Sequence, residues 1–412
     1  MARLTSLLLL ILALGISPDA NAHNKSVSYS DWSVTEDGSI IARVRVPARQ
    51  TTLLLRDRPT ADPYSATMAH IASHLKVLED DLVCPLTGPP QRLFGAQETL
   101  VVELRYACQS MTGKSISIQS DAFFDYAAGH LHFVRSTNAI DEAVTETILT
   151  TGTRQTWLFS DGEDQHTSES DWALLGVGFH HILGGPDHLV FVLGIFLVTG
   201  LRFSLVPAVT GFTIGHSLSL AAAVTGLISS DSMSVEGLIA LTIWLLGALA
   251  VKVHFTAKNA GILLSSAGLI ICAFLISLLT GGVGDILFWV GLGLLTLAYL
   301  SLPARDHLSG GMVSVFLTAC LGLAHGLGFA GGLQEAFQET DTLFIALIAF
   351  NVGVEAGQLA FLCLIIGMII AIRSIPLIRD LEKPAQMAAA IGVTMAGAFW
   401  FAERIIFTSS QL

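Results

Sequence analysis

The strongest constraint on this chain is a series of long apolar segments that fills its second half. About 20 consecutive apolar residues are enough to cross the hydrocarbon core of a bilayer. Hydropathy indicates eight candidate spans, near 172–200, 203–229, 234–254, 260–280, 284–302, 311–331, 342–371 and 385–407. The chain is 52% hydrophobic and only 13% charged, which is too apolar for a soluble protein of 412 residues. The sequence therefore predicts a multi-span α-helical membrane bundle over residues 171–412.

The N-terminus has the pattern of a secretory signal peptide over residues 1–22. Arg3 provides a basic start, residues 7–16 form an apolar core, and Ala20-Asn21-Ala22 resembles a cleavage site. The alternative is an uncleaved first transmembrane helix, for which the apolar run is short. We expect a mature chain that begins at His23, outside the cytoplasm.

Residues 23–170 alternate between apolar and polar positions, as half-buried strands do. This pattern predicts a β-rich extracytoplasmic domain with strands at 39–46, 100–107, 115–119 and 130–135, and a helix at 63–78. An exported domain lies in an oxidising compartment, so a disulfide between Cys84 and Cys108 is expected. The domain contains two histidine pairs, His70 with His74 and His130 with His132. Each pair could bind a metal ion or could consist of ordinary surface or half-buried histidines.

Lysine and arginine residues fall in alternate loops of the membrane part. They occur near 202, 252–258, 305 and 373–383, whereas the loops at 229–234, 280–285 and 332–341 carry none. Cytoplasmic loops are enriched in these residues. The pattern predicts an inner (plasma) membrane protein whose N-terminal domain and C-terminus both lie outside the cytoplasm. The net charge of −12 and the absence of a basic patch make nucleic acid an improbable partner.

The first span contains His181, Asp187 and His188 beside the helix-breaking sequence Gly184-Gly185-Pro186. Charged groups within a bilayer are costly, so they usually face a cavity, a partner or an ion. Broken helices in membranes are tolerated where they line such a site. This segment is the first candidate for a cation site, and a polar network that only packs helices is the alternative.

Three further spans carry polar residues within their apolar sequence. His216 lies in the second span and His325 in the sixth, while Asn351, Glu355 and Gln358 share one face of the seventh. Gly215-His216-Ser217-Leu218-Ser219 resembles a serine-hydrolase elbow, but that motif needs a turn between a strand and a helix. In a membrane helix, Ser217 is expected to bond its own backbone or to support His216.

Imidazole and carboxylate groups without thiolates favour divalent nickel, cobalt or zinc over copper(I). The sequence thus predicts a membrane path for a divalent metal ion, with no tightly bound cofactor. The chain has no nucleotide-binding P-loop, so ATP would act only through a partner.

Four motifs in order resemble the HupE/UreJ family of hydrogenase- and urease-associated membrane proteins, which are regarded as nickel or cobalt permeases. They are His-Ile-x-x-Gly-x-Asp-His at 181–188, Phe-Thr-x-x-His-Ser at 212–217, Gly-Leu-x-His-Gly-x-Gly-Phe-Ala at 322–330 and Phe-Asn-x-Gly-Val-Glu-x-Gly-Gln at 350–358. The resemblance covers residues 171–407 and is closest to the branch with an exported N-terminal domain. It implies a metal path through His181, Asp187, His188, His216, His325 and Glu355, with Ser217, Asn351 and Gln358 as supporting polar groups. Residues 258–305 would be an additional helix pair.

Three functional hypotheses follow. The favoured one is a permease for nickel or cobalt that is not an enzyme and whose partners are the metal ion, the lipid bilayer and possible metalloenzyme maturation factors. The second is a non-transporting accessory or scaffold protein for metalloenzyme maturation. The third is a membrane-embedded metalloenzyme that activates water, although no His-Glu-x-x-His pattern is present.

Overall fold

The computed structural model describes residues 27–35, 39–47, 50, 51, 54, 62–93, 99–108, 116–126, 130–137, 144–149, 155–159, 168–228, 232–255, isolated positions within 266–297, and residues 312–337, 343–375 and 379–406. The expected signal peptide and His23 lie outside this set. The described residues divide at Gly176 into a β-rich unit and a helical unit.

The described residues of the β-rich unit form ten strands and one helix. The strands are β1 (Val27–Val34), β2 (Ser39–Pro47), β3 (Leu75–Glu79), β4 (Leu82–Val83), β5 (Gln91–Leu93), β6 (Thr99–Ala107), β7 (Ile116–Ser120), β8 (Leu131–Thr137), β9 (Val144–Leu149) and β10 (Gln155–Phe159). They make a six-stranded sheet of order β5-β6-β2-β1-β8-β9 and a four-stranded sheet of order β10-β7-β3-β4. The expectation of a β-rich N-terminal region is confirmed, and the four expected strands are observed as β2, β6, β7 and β8.

The helix expected at 63–78 is shorter than the sequence suggested. Helix α1 spans Pro63–His74, and the side chain of Asp62 caps it by accepting a hydrogen bond from the backbone amide of Ser65 at 2.8 Å. The chain then continues as β3, in which Leu75 and Val77 are buried and Lys76 is exposed. This period of two, together with pairing to β7, overrides the helical pattern of the preceding residues.

Seven helices form the described helical unit. They are α2 (Ser168–Gly184), α3 (Pro186–Thr199), α4 (Leu205–Val224), α5 (Ser232–Phe255), α6 (Met312–Phe337), α7 (Leu343–Ser374) and α8 (Glu382–Ile406), with a short 3₁₀ turn at Arg379–Leu381. Among the described residues, four helices are long and apolar enough to cross a membrane, and the bent pair α2 and α3 makes a fifth. The described apolar part of α6, Ser314–Gly328, is shorter. The structure therefore supports four to five spans, and eight are not confirmed, since 260–280 and 284–302 lie mostly outside the described residues.

Glycines bring α4 and α6 into close contact. A Cβ atom on Gly215 would collide with the backbone of Ala319, and one on Gly326 would collide with the backbone of His216. Small residues let membrane helices approach closely enough for their backbones to touch. The glycines of α4 and α6 thus fix the position of His216, the first polar side chain of the candidate site.

The contacts between helices show that their directions alternate along the chain. Gly211 lies against Val315 and Gly215 against Ala319, so α4 and α6 run parallel. Between α5 and α8, Gly247 lies against Thr394, whereas Gly397 lies against Trp244, so these two helices are antiparallel.

Contacts also show the relative directions of α3 and α4 and of α4 and α7. His188 of α3 contacts His216 of α4. Phe191, later in α3, contacts Phe212, which lies earlier in α4. Helices α3 and α4 are therefore antiparallel. Thr210 of α4 contacts Glu355 of α7, and His216, later in α4, contacts the earlier residue Asn351, so α4 and α7 are antiparallel.

Candidate metal centre

The site is built around the break between α2 and α3, which are bent by 73°. Pro186 cannot donate a hydrogen bond to the carbonyl of Ile182, the acceptor that a continuous helix would offer it. The amide of Gly185 bonds that carbonyl instead, at 3.2 Å. The helix restarts at Pro186, which places Asp187 and His188 in the first turn of α3, where the helix dipole favours a negative charge.

Asp187 and His188 form a buried pair. Nδ1 of His188 lies 3.1 Å from Oδ1 of Asp187, and both residues are at most 1% exposed. A carboxylate accepts the Nδ1 proton, so the lone pair of the imidazole is on Nε2. Nε2 of His188 is buried and has no hydrogen bond in the described part of the chain. A carboxylate that orients a histidine through one nitrogen and leaves the other for an ion is the usual support of a metal-binding imidazole.

His216 is oriented by Asn351 in a similar way. The side-chain amide of Asn351 donates to the carbonyl of Leu347 at 2.7 Å, which identifies its oxygen as the atom facing α4. That oxygen lies 3.4 Å from Nδ1 of His216. Nδ1 therefore carries the proton, and Nε2 has the lone pair that a metal ion needs.

His325 is oriented by a residue that sequence reasoning missed. The hydroxyl of Thr242 donates to the carbonyl of Ile239 at 2.7 Å, and its oxygen lies 2.9 Å from Nε2 of His325. Because that hydroxyl proton is already used, Nε2–H of the imidazole is the donor and Nδ1 has the lone pair. Thr242 gave no sequence signal, since threonines in apolar helices commonly bond their own backbone.

These side chains form two overlapping groups that share His188. One contains His181, His188 and His216, and the other contains Asp187, His188 and His325. Within each group, one ligand atom per residue lies within 4.8 Å of all the others. Ligands on opposite sides of a metal with bonds of about 2.1 Å are about 4.2 Å apart. Small side-chain rotations would therefore close either group around an ion.

Gly185 is required by the packing of this centre. A Cβ atom at this position would lie 2.7 Å from Nδ1 of His188 and 3.2 Å from Oδ1 of Asp187. The neighbouring Gly184 has nothing within 4 Å of such an atom. Gly184 therefore has room for a side chain, whereas the missing side chain of Gly185 leaves the space that the buried pair occupies.

The remaining predicted residues lie around these groups. Glu355 is absent from both groups and instead meets the hydroxyls of Thr210 and Thr213. Gln358 also contacts Thr213, at 2.9 Å. Ser217 donates to the carbonyl of Thr213 at 2.6 Å, within helix α4, so its hydroxyl is bonded to its own backbone.

The histidine pairs of the β-rich unit do not belong to any three-residue group of metal ligands among the described residues. His70 accepts a hydrogen bond from the backbone amide of Phe123 at 3.1 Å. His132 is fully enclosed and contacts the hydroxyls of Ser28 and Ser30 at 2.6 and 2.9 Å. These contacts favour ordinary histidines over metal ligands, but His130 and His132 are fully buried and not at the surface or half-buried as the alternative expected.

Cys84 and Cys108 form a disulfide bond that joins the start of the loop after β4 to the end of β6. Glu79 lies close enough to both sulfur atoms to resemble a metal group. A thiolate, not a disulfide, is a metal ligand, so this cluster is structural.

The HupE/UreJ family model matches residues 160–282 and 289–404, which is more than half of the chain. The chain belongs to the HupE/UreJ family. The matched region contains all four motifs and every member of the candidate metal centre, whereas the β-rich unit lies almost entirely before it. No curated protein and no solved structure matches the chain. This family is linked to nickel or cobalt uptake or to metalloenzyme maturation, and it is a transporter or accessory family.

Proposed function

We propose that this protein is a permease for a divalent transition metal, with nickel or cobalt as the transported ion. The observation that supports this most directly is the pair of ligand groups that share His188. An ion can pass from one group to the other while His188 remains bound to it. The ion therefore keeps at least one protein ligand throughout the transfer. Transport requires sites that bind strongly enough to admit an ion and weakly enough to release it.

The chemistry of the ligands favours this class of substrate. The two groups offer four imidazoles and one carboxylate, and nickel, cobalt and zinc accept both kinds of ligand. Copper(I) prefers sulfur, and calcium and magnesium prefer sites made of oxygen atoms. We expect nickel or cobalt rather than zinc because of the family's link to these two metals.

We further propose an orientation of the protein in its membrane. The membrane part would lie in the inner (plasma) membrane, with the β-rich unit outside the cytoplasm and the signal peptide removed. The alternating helix directions support an ordered series of crossings. The oxidised pair Cys84 and Cys108 supports an exported location for the β-rich unit.

The decisive experiment is metal uptake by proteoliposomes that contain the purified full-length protein. Uptake of nickel, cobalt, zinc, copper and manganese should be compared for the wild type and His188→Ala. His180→Ala is a matched control, because His180 is exposed and lies outside both groups. We expect nickel or cobalt flux that is lost in His188→Ala and retained in His180→Ala. Equal flux in all three preparations and in empty liposomes would refute the permease.

An accessory role in metalloenzyme maturation is the second candidate, and the family's link to such maturation is the observation that favours it. It predicts stable co-purification with a maturation factor and no metal flux. The proteoliposome experiment therefore separates the two functions.

A further inference from the structure

Arg404 carries a positive charge into the interior of the helical unit. It lies in the last turn of α8 and is only 5% exposed. A guanidinium group keeps its proton in proteins, so this charge is permanent. Buried charges in membrane helices are costly and usually mark a function. Neither ligand group of the metal centre includes Arg404, so its burial needs an explanation of its own.

The direct partners of the guanidinium group do not neutralise it. Nη1 donates to the backbone carbonyl of Glu236 at 2.9 Å. Cζ lies over the ring of Trp400, 5.8 Å from its centroid. Nη2 is buried and has no hydrogen bond in the described part of the chain. The carbonyl and the indole ring carry no net charge, so the positive charge of Arg404 acts on groups that lie further away.

Three acidic residues interact with this charge at longer range, namely Asp187, Glu236 and Glu403, and Asp187 has the largest effect. Glu403 is exposed and Glu236 is half-buried, whereas Asp187 is 0% exposed. Interactions between buried charges are screened much less than those of exposed charges. Arg404 is therefore linked most strongly to a member of the metal centre.

The packing of α8 against α3 explains this link. A Cβ atom on Gly194 of α3 would lie 3.6 Å from Cγ1 of Val393 of α8. Asp187 precedes Gly194 by seven residues. Arg404 follows Val393 by eleven residues. At 100° per residue, both offsets return to within about 20° of the starting direction. Asp187 and Arg404 thus lie on the two faces through which α3 and α8 contact each other.

The directions of the helices bring these faces together at the correct end. Gly194 lies against Leu246, and Leu197, later in α3, accepts a hydrogen bond from His254, later in α5, so α3 and α5 are parallel. Because α5 and α8 are antiparallel, α3 and α8 are antiparallel as well. The last turn of α8, which contains Arg404, is therefore next to the first turn of α3.

The side chain of Arg404 is directed back towards the metal centre. Counted from the contact between Gly194 and Val393, Arg404 lies about 6 Å further along the helix axis than Asp187, at 1.5 Å per residue. The side chain covers Trp400, one turn earlier in α8, as helical side chains that point towards the N-terminus do. This direction reduces the separation between the guanidinium group and Asp187.

We propose that Arg404 sets the affinity of the metal centre for divalent ions through its charge. An ion held by Asp187, His188 and His325 would be repelled by the guanidinium group, so it would bind less tightly. A permeant ion needs sites that release it as well as sites that bind it. This purpose rests on the proposed permease function, whereas the effect on binding does not depend on transport.

The same charge serves the centre when no ion is bound. An isolated carboxylate is costly to bury within a membrane, and Arg404 compensates Asp187 in the absence of metal. A divalent ion that enters adds its own positive charge to one that is already present. Arg404 thus stabilises the empty centre and destabilises the occupied one, and both effects favour release.

The test is equilibrium nickel binding to the purified full-length protein at pH 8, where few imidazoles carry a competing proton. Arg404→Met and Arg404→Gln both remove the charge, and the second keeps a donor for the carbonyl of Glu236. Arg404→Lys retains the charge on a different side chain. Arg202→Met is the matched control, because it removes an arginine at an exposed position after α3.

Removal of the charge should strengthen nickel binding. A unit charge about 10 Å from a divalent ion changes a binding constant by at least about tenfold at an effective dielectric constant of about 20. We expect at least about tenfold tighter binding to Arg404→Met and Arg404→Gln, and binding within about threefold of wild type to Arg404→Lys and Arg202→Met. Loss of structure would weaken binding, so a gain in affinity identifies an effect of charge.

The opposite results overturn the proposal. Unchanged or weaker binding to the neutral variants would make Arg404 a structural residue, and if one of them does not fold, the other decides. A gain in Arg404→Lys as large as that in the neutral variants would show that charge is not the cause. An equal gain in Arg202→Met would show that the effect is not specific to Arg404.

Uptake by proteoliposomes separates this inference from the permease proposal. In Arg404→Met, the nickel concentration that gives half-maximal uptake should fall, and the maximal rate should fall with it because the ion is released more slowly. A purely structural role would lower the rate without lowering that concentration. If the wild type shows no flux, the permease is refuted, and the binding comparison still decides the role of Arg404.

Discussion

Nδ1 of His188 lies 3.1 Å from Oδ1 of Asp187, and both side chains are buried among helices. The two residues are adjacent in sequence, and a regular helix would direct their side chains about 100° apart. Both lie in the first turn of α3, which begins at Pro186, and their side chains meet there. The other nitrogen of His188, Nε2, is buried and has no hydrogen bond among the described residues.

The Asp187 carboxylate should determine how strongly His188 binds a metal. We expect Asp187→Asn to weaken nickel binding about 10- to 100-fold, the usual cost of losing a partner that orients a metal-binding histidine. Equilibrium binding to the purified full-length protein measures this effect. Asp380→Asn, at an exposed position before α8, is the control. Equal affinities for the two variants would contradict the role of the pair.

Gly185 should tolerate no side chain. Gly185→Ala places a methyl group 2.7 Å from Nδ1 of His188, so the imidazole must move from its position beside Asp187. Nickel affinity should fall at least about tenfold, because the geometry of the ligands is lost. Gly184→Ala, with free space around the added atom, should bind nickel as the wild type does. If both alanine variants bind equally, the pair is not held as the structure shows.

The glycine contacts between α4 and α6 should control the stability of the helical unit. A side chain at Gly322 would enter the backbone of Phe212. Gly322→Val is therefore expected to destabilise the folded state by about 1–3 kcal/mol or more, as overpacking does. Thermal unfolding in detergent should show a lower midpoint than for Gly367→Val, whose position on α7 is open. An unchanged midpoint would show that α4 and α6 do not pack through these glycines.

The buried His132 should make the β-rich unit sensitive to acid. Burial lowers the pKa of His132 from about 6.5 to about 4. The unfolded chain therefore binds a proton at higher pH than the folded chain does. Its contribution to stability is complete above about pH 6.5 and is lost as the pH falls towards 4, by up to about 3 kcal/mol.

Hydrogen exchange of the β1 and β8 amides in the full-length protein measures this effect. Protection in the wild type should decrease between pH 6.5 and pH 4, after correction for intrinsic exchange. In His132→Gln the same decrease should be smaller, since glutamine does not titrate. A pH dependence identical in the two proteins would show that another group is responsible.

Much of the architecture was predictable from local pattern. Period-two alternation identified β2, β6, β7 and β8, because one face of each strand is buried in the core. The exception was the end of α1, where residues 75–78 continue an apolar pattern but are drawn into a sheet by β7. Pairing partners are distant in sequence, so a local pattern could not reveal this.

The sequence predicted which residues form the candidate site better than it predicted which of them lie together. Ionisable residues within apolar helices stand out because the bilayer penalises them, which singled out His188, His216, His325 and Glu355. Their grouping depended on which helices touch. Thr242 could not be found from sequence, since its role depends on His325, which is 83 residues away.

The sequence by itself determined where the described membrane helices run, where the first of them breaks, and which polar side chains must be sheltered from lipid. These follow from local chemistry, namely the hydropathy of each segment, the missing amide of proline and the cost of burying charge. Only the tertiary structure decided that three other histidines and Asp187 gather around His188 while Glu355 joins two threonines and a glutamine. That division depends on glycine-mediated contacts between helices, which set distances between residues far apart in the chain.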